Sequence, residues 1–261
     1  MAKIIAVSNQ KGGVGKTTTS VNLSASLAAA RRRVLLIDLD PQGNATMGSG
    51  IDKNTIQASS YDVLMNKKSL ADSLLLVEHS NYRLLPGNAD LTGAEVALLD
   101  ELAREMRLRH ALDPVREEYD YVLIDCPPTL SMITINALVA SDAVMVPIQC
   151  EYFALEGLSG LLATIEKIRA ILNPKLQLDG LLRTMYDARN NLANEVSAQL
   201  IEHFGDQVYG TVIPRNVRLA EAPSHGLPVL HYDKSCSGAL AYLALAGELL
   251  RRDKARGEEN G

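Results

Sequence analysis

A chain of 261 residues with 47% hydrophobic content has ample material for one large core or two small ones. Aromatic residues make up only 4% and Trp is absent, so the core must be built from Ala, Leu, Val and Ile, which suits helices packed on a parallel sheet better than a β-sandwich. The net charge of −5 means that any nucleic-acid contact needs a local basic patch, and three widely spaced cysteines (Cys126, Cys150, Cys236) point to neither a disulfide framework nor a zinc site and fit a reducing cytoplasm.

Along the chain, short apolar runs alternate with helical patterns, the signature of βαβ units. The first run, at 3–8, is too short for a secretory signal and passes straight into a polar glycine loop; no stretch nears the roughly 20 apolar residues that span a bilayer. Further strands are expected at 33–38, 82–86, 121–126, 143–148, 178–184 and 209–214. Helices are expected at about 16–30, 91–113, 131–140, 155–172, 191–204 and 236–254, with Pro174 stopping the fourth. The polar stretch 41–62 reads as a loop over the carboxyl end of the sheet. The expected architecture is a single-domain α/β fold, doubly wound on a mostly parallel sheet flanked by helices, spanning 1–252 with a charged, frayed tail at 253–261.

The loop "KGGVGKTT" at 11–18 lies between the first strand and the first helix. Its glycines let backbone N–H groups turn toward a phosphate, and the helix N-terminus adds partial positive charge. In this order, strand, glycine loop, Gly15-Lys16-Thr17 and helix form a phosphate loop: Lys16 reaches the β- and γ-phosphates of a nucleotide and the Thr17 hydroxyl meets Mg²⁺. The loop departs from the general pattern, which asks for glycine where Gln10 stands, and it carries an additional lysine, Lys11. Two acidic strand ends support a metal–nucleotide site. "LLIDLDPQGN" supplies Asp38 and Asp40 and "VLIDCPP" supplies Asp125, at the carboxyl ends where parallel sheets gather ligands. Asp125 is placed to hold Mg²⁺, with Asp38 as a second metal candidate, and either Asp40 or Asp38 can orient an attacking water.

The segments "KGGVGKTT", "LLIDLDPQGN" and "VLIDCPP" together resemble the deviant-Walker ATPases of the ParA/MinD superfamily. "VPIQCEYFALEGL", "TMYDARNNLANEV" and "IPRNVRLAEAPSHGLPV" resemble its ParA (Soj) branch, over about residues 2 to 250. The resemblance implies an ATP- and Mg²⁺-dependent switch. Lys11 is its signature lysine, reaching the nucleotide of a second subunit, and Gly12 lies where that subunit's backbone approaches. Gly13, Val14, Gly15, Lys16, Thr17 and Thr18 hold the phosphates, Asp40 serves hydrolysis, and Met185, Pro214 and Asn216 hold the base. Its partners are a second copy of the chain when ATP is bound, non-specific double-stranded DNA, and a ParB-like stimulator, at the nucleoid in the cytoplasm.

Arg189 and Arg218 match ParA positions that contact the DNA backbone; Arg215, Arg183 and the run Arg31-Arg32-Arg33 are weaker candidates. Nothing resembles a recognition helix, and with the loop strand starting at residue 3 no operator-reading domain is expected ahead of it. A MinD-like membrane-cycling regulator is the main alternative. The C-terminal helix, however, closes on mixed charges without a Trp or Phe anchor, so no stable membrane binding is expected. An iron–sulfur ATPase would need paired cysteines, and a small-molecule kinase or ligase would need a substrate motif, which the sequence does not show.

Overall fold

In the computed structural model, which describes residues 1–259, the βαβ alternation takes the following form. The chain runs β1 (Lys3–Val7), α1 (Lys16–Ala29), β2 (Val34–Asp38), α2 (Asn44–Gly48), α3 (Ser60–Leu64), β3 (Leu75–Val77), β4 (Tyr82–Leu85), α4 (Leu91–Ala97) and α5 (Arg107–Leu112). It continues through β5 (Tyr121–Asp125), α6 (Met132–Ala140), β6 (Ala143–Gln149), α7 (Ala154–Ile171), β7 (Gln177–Thr184), α8 (Asn191–Phe204), α9 (Val217–Glu221), α10 (Val229–Tyr232) and α11 (Ser237–Glu259). The strands form one sheet in the order β3-β4-β2-β5-β1-β6-β7, parallel throughout except for β3 on β4.

Helices cover both faces, so the central strands are buried from end to end and read as continuous apolar runs. Side chains alternate between two cores. Leu35, Ile37, Val122 and Ile124 face Leu138, Leu158 and Leu200 of α6, α7 and α8. Leu36 and Leu123 face Leu23 and Leu27 of α1 and Tyr242 and Leu249 of α11.

Five expectations are corrected. The stretch 41–62 is not all loop, since it carries α2 and the start of α3. The run 209–214 is no strand: Gly210 and Thr211 donate their backbone N–H groups to the Glu248 carboxylate of α11, 2.8 Å each, and Pro214 has none to give. It follows β7 through two backbone bonds, Tyr209 N to Leu181 O and Ile213 N to Arg183 O, 2.9 Å each, and through isolated bridges at Val208 and Pro214, short of a ladder. The helix expected over 91–113 is broken at Ala103, whose φ is 51°. There the Asn136 amide donates to Arg104 O and its oxygen accepts from Leu108 N, a tertiary substitute for the helical ladder. Strand β3, missed by the pattern, is a three-residue edge whose Leu75 and Leu76 are exposed. Finally, α11 continues to Glu259 through most of the expected tail. Its end is tied down: Lys3 donates to Asp253 and to the buried Asp179, 2.5 Å each, and Arg256 reaches Asp179 at 3.0 Å. Asp179 is the extra residue of a bulge in β7, where Leu178 pairs with Val144 and Gly180 with Met145. Residues 260 and 261 of the expected tail lie outside the described residues.

Candidate nucleotide site

The glycine loop leaves β1 at its carboxyl end and enters α1 at Lys16. Gly13 and Gly15 have φ of 73° and 88°, a left-handed backbone that side-chain-bearing residues rarely adopt. The loop is anchored on both shoulders. Asn9 donates to Pro147 O and accepts from Lys11 N, and the Thr184 hydroxyl donates to Val14 O at 2.7 Å. Gly15 O accepts from Thr19 N, the first helical bond of α1.

Lys16 is buried and donates across the loop to Lys11 O at 3.0 Å. Burial pulls its pKa down, while Asp125 and Asp40 push it up. An ammonium held inside a ring of loop amides is the arrangement that meets a phosphate. The Thr17 hydroxyl donates to Asp125 Oδ2 and the Ser20 hydroxyl to Asp125 Oδ1, 2.8 Å each. Thr17 and Ser20 lie three apart on α1 and share the face toward β5.

Asp38 and Asp125 end adjacent strands in direct register and are both fully buried. Burial raises both carboxyl pKa values, Asp38 to about 6 and Asp125 to about 8, with the neighbouring charge adding to the rise. Thr46 donates to Asp38 through both its N–H and its hydroxyl, at 2.8 and 2.7 Å, and Asp40 N donates at 3.1 Å. Asp38 therefore shapes the turn that presents Asp40, whose carboxylate accepts from Gln42 N at 2.9 Å and reaches the cavity.

That cavity, about 620 Å³, brings together Gly12, Gly13, Gly15, Lys16, Thr17, Thr18 and Asp40 with Met185, Pro214 and Asn216. Residues 145 or more positions apart in sequence thus meet at one site, with Met185 at a left-handed φ of 48°. Sequence reasoning missed the apolar side of the pocket, Ile213, Leu219 and Tyr242. Val14 faces inward instead, and Asp38 and Asp125 stay behind the lining, Asp125 reaching it through Thr17. Missed too were Ser20 and Thr46; only the helical spacing of Ser20 from Thr17 signalled either.

Lys11 turns away from its own loop: its ammonium pairs with Glu151 at 2.6 Å, with both side chains nearly half exposed. An added Cβ at Gly12 would meet nothing within 4 Å, so that shoulder faces open space. Arg189 and Arg218 lie outside the cavity and are clamped, Arg189 by both oxygens of Asp187, Arg218 by Glu221 at 2.7 Å and Asp233 at 3.5 Å. Arg183 is buried, bonded to Ser197 and to the carbonyls of Tyr209 and Gly210, and is not presented to solvent. Arg215 lines the cavity.

The glycine cradle, the buried lysine and a Thr hydroxyl on a strand-end carboxylate fit a nucleoside triphosphate with Mg²⁺. Among the described residues no three His, Cys, Asp or Glu side chains gather as a metal cage. Were Mg²⁺ bound beside phosphate oxygens, the Thr17–Asp125 pair would be the protein groups placed to hold it.

Residues 2–178 match the family model for an AAA domain. The sporulation initiation inhibitor protein Soj of Bacillus subtilis is 53% identical over 249 residues, 95% of this chain and 98% of that protein. The chromosome partitioning protein ParA of Caulobacter vibrioides is 51% identical over 256 residues, 97% and 96% of the two chains. This chain belongs to the ParA/Soj family of ATPases. Among solved structures, a Mycobacterium smegmatis protein described as cobyrinic acid a,c-diamide synthase, with a bound ATP analog and magnesium, superposes with a TM-score of 0.85 at 38% identity. It covers 97% of this chain and 96% of its own.

Proposed function

We propose that this ParA/Soj ATPase is a DNA-segregation switch in which ATP and Mg²⁺ join two copies of the chain. The observation that carries the reading is the outward shoulder of the glycine loop. Lys11 is not used by its own phosphate cradle, Gly12 fronts open space, and the exposed Leu130, Tyr152 and Phe153 lie close in sequence to the cavity-lining Pro128 and to Glu151. A second copy can meet this face, with each Lys11 neutralising charge at the other's phosphates, as a trans-acting arginine does in other phosphoryl-transfer enzymes.

Within one chain, Lys16 and the loop amides bind the phosphates and Thr17 with Asp125 orients the metal. Asp40, held out by Asp38 and Gln42, is the group positioned to align water. The assembled dimer holds double-stranded DNA without base readout through Arg189 and Arg218, and a ParB-like partner speeds hydrolysis and release, which places the protein at the nucleoid. No helix among the described residues is long and apolar enough to cross a membrane.

Sedimentation with and without ATP tests the reading. Wild type dimerises with ATP; Lys16→Ala loses nucleotide binding; Lys11→Ala keeps nucleotide and stays monomeric. A Lys11→Ala chain that dimerises fully with ATP would refute the trans role.

A further inference from the structure

The end of the sheet opposite the nucleotide carries a concentration of cations that the reading above does not use. Two hollows, of about 570 and 600 Å³, lie along the amino-terminal edges of the strands and share Arg32. Between them they are lined by eight Lys and Arg side chains and four Asp and Glu side chains, in a chain whose totals are 26 against 31. A surface with twice as many cations as acids is unexpected in an acidic protein.

Pairing separates this edge from the expected DNA contacts. Arg189 and Arg218 are both held by carboxylates of their own chain. At the edge, Arg33 pairs with Asp120 and Lys3 with Asp179 and Asp253, but the exposed Arg31, Arg32, Arg83 and Lys175 have no carboxylate partner among the described residues. Nor are the arginines after α1 needed to close that helix. The backbone N–H groups of Ala30, Arg31 and Arg32 already bond the carbonyls of Ser26, Ala28 and Leu27. Arg31 adopts a left-handed φ of 61°, which ends α1 and starts the turn into β2.

We infer that this edge is a second phosphodiester-binding surface, on which Arg31, Arg32 and Arg83 meet the backbone of a nucleic-acid duplex. It takes the class of partner from the proposed function but uses none of its residues. From β4 to β7 the edge crosses five strand steps of about 4.8 Å, roughly 24 Å, which matches about seven base pairs of duplex. Guanidinium forks suit phosphate oxygens, and a concave, cation-lined hollow focuses the field of an otherwise acidic molecule. A lipid surface fits less well: Met1 and Leu76, 89% and 45% exposed, are the exposed large apolar side chains of the two hollows, short of the broad apolar face that interfacial anchoring uses.

The test is fluorescence anisotropy of a labelled random-sequence duplex of about 30 bp with the full-length chain, across salt from about 50 to 200 mM. The variants are Arg31→Ala/Arg32→Ala/Arg83→Ala, the corresponding triple Lys substitution, and Arg189→Ala/Arg218→Ala. The triple Ala variant is expected to bind about tenfold or more weakly at low salt. Its log K against log salt should flatten by about 2.7, for three lost phosphate contacts. The Lys variant should keep most of that slope, and all should bind a fluorescent ATP analogue as wild type does. An unchanged slope in the triple Ala variant, or an equal loss in the Lys variant, overturns the inference. So does a triple Ala variant that keeps DNA but no longer pellets with phosphatidylglycerol vesicles. Loss confined to Arg189→Ala/Arg218→Ala overturns the edge and leaves the proposed function standing; loss confined to the triple Ala variant supports the edge and counts against those two arginines.

Discussion

Replacing Glu151 by Gln removes the carboxylate that holds the Lys11 ammonium at 2.6 Å on its own chain. Both side chains are nearly half exposed, so the pair contributes about 0.2–1 kcal/mol rather than the larger sum of a buried bridge. If Lys11 must leave Glu151 to reach a second subunit, two pairs break for each dimer formed, costing about 0.4–2 kcal/mol. Glu151→Gln should therefore tighten the ATP-bound dimer by about 2- to 30-fold, since each 1.36 kcal/mol is a factor of ten. Sedimentation equilibrium with a slowly hydrolysed ATP analogue measures this directly. The gain should shrink in high salt, where the exposed pair is already screened. Nucleotide affinity of the monomer should not move, because Glu151 is not among the cavity-lining residues. A Glu151→Gln chain that dimerises as wild type does, or less well, refutes the idea that the pair holds Lys11 back. The weaker dimer would mean that Glu151 acts within the assembly.

Other outcomes follow from the same geometry. Asp38 and Asp125 have carboxyl pKa values raised by burial, to about 6 and about 8 from an ordinary 3.8, so the folded chain binds more protons than the unfolded one across that range. Stability from this pair is fully present below about pH 4 and is lost as pH rises toward 8. The nucleotide-free protein should then lose more of its Tm between pH 6 and pH 8 than Asp125→Asn does, and equal losses would refute the assignment. Gly180→Ala places a Cβ 2.7 Å from Tyr209 Cε2 and 2.9 Å from Gln207 O in the β7 bulge; overpacking there should cost about 1–3 kcal/mol, readable as a fall in denaturant midpoint. With ATP present, Arg189→Ala/Arg218→Ala should dimerise normally but retain less DNA, and equal DNA binding by the ADP form would contradict the switch.

The phosphate loop was legible because its chemistry is local: strand, glycines, Lys16, Thr17 and helix follow within a few residues, and the φ values of Gly13 and Gly15 need nothing from elsewhere. The acidic strand ends were legible for a related reason, since a parallel sheet puts Asp38, Asp40 and Asp125 at one end whatever the loops do. Their division of labour was not, because it depends on Thr46 and Ser20, whose hydroxyls engage Asp38 and Asp125 and leave Asp40 to face the cavity.

The sequence by itself determined the fold class and the nucleotide loop, since hydrophobic period, glycine placement and helix-start chemistry act over a handful of neighbouring residues; the family was legible only through the resemblance of its longer motifs. Tertiary structure alone decided that 209–214 is not a strand, because the N–H groups of Gly210 and Thr211 in its middle are taken by Glu248, 37 or 38 residues further along the chain. It also decided that Arg183 is buried and that Arg189 and Arg218 are paired, while Arg31, Arg32 and Arg83 stand together unpaired around one hollow. The physical reason is common to all of these. A charge or a backbone donor takes whichever partner folding brings within about 3 Å, and that partner is set by the packing of distant elements.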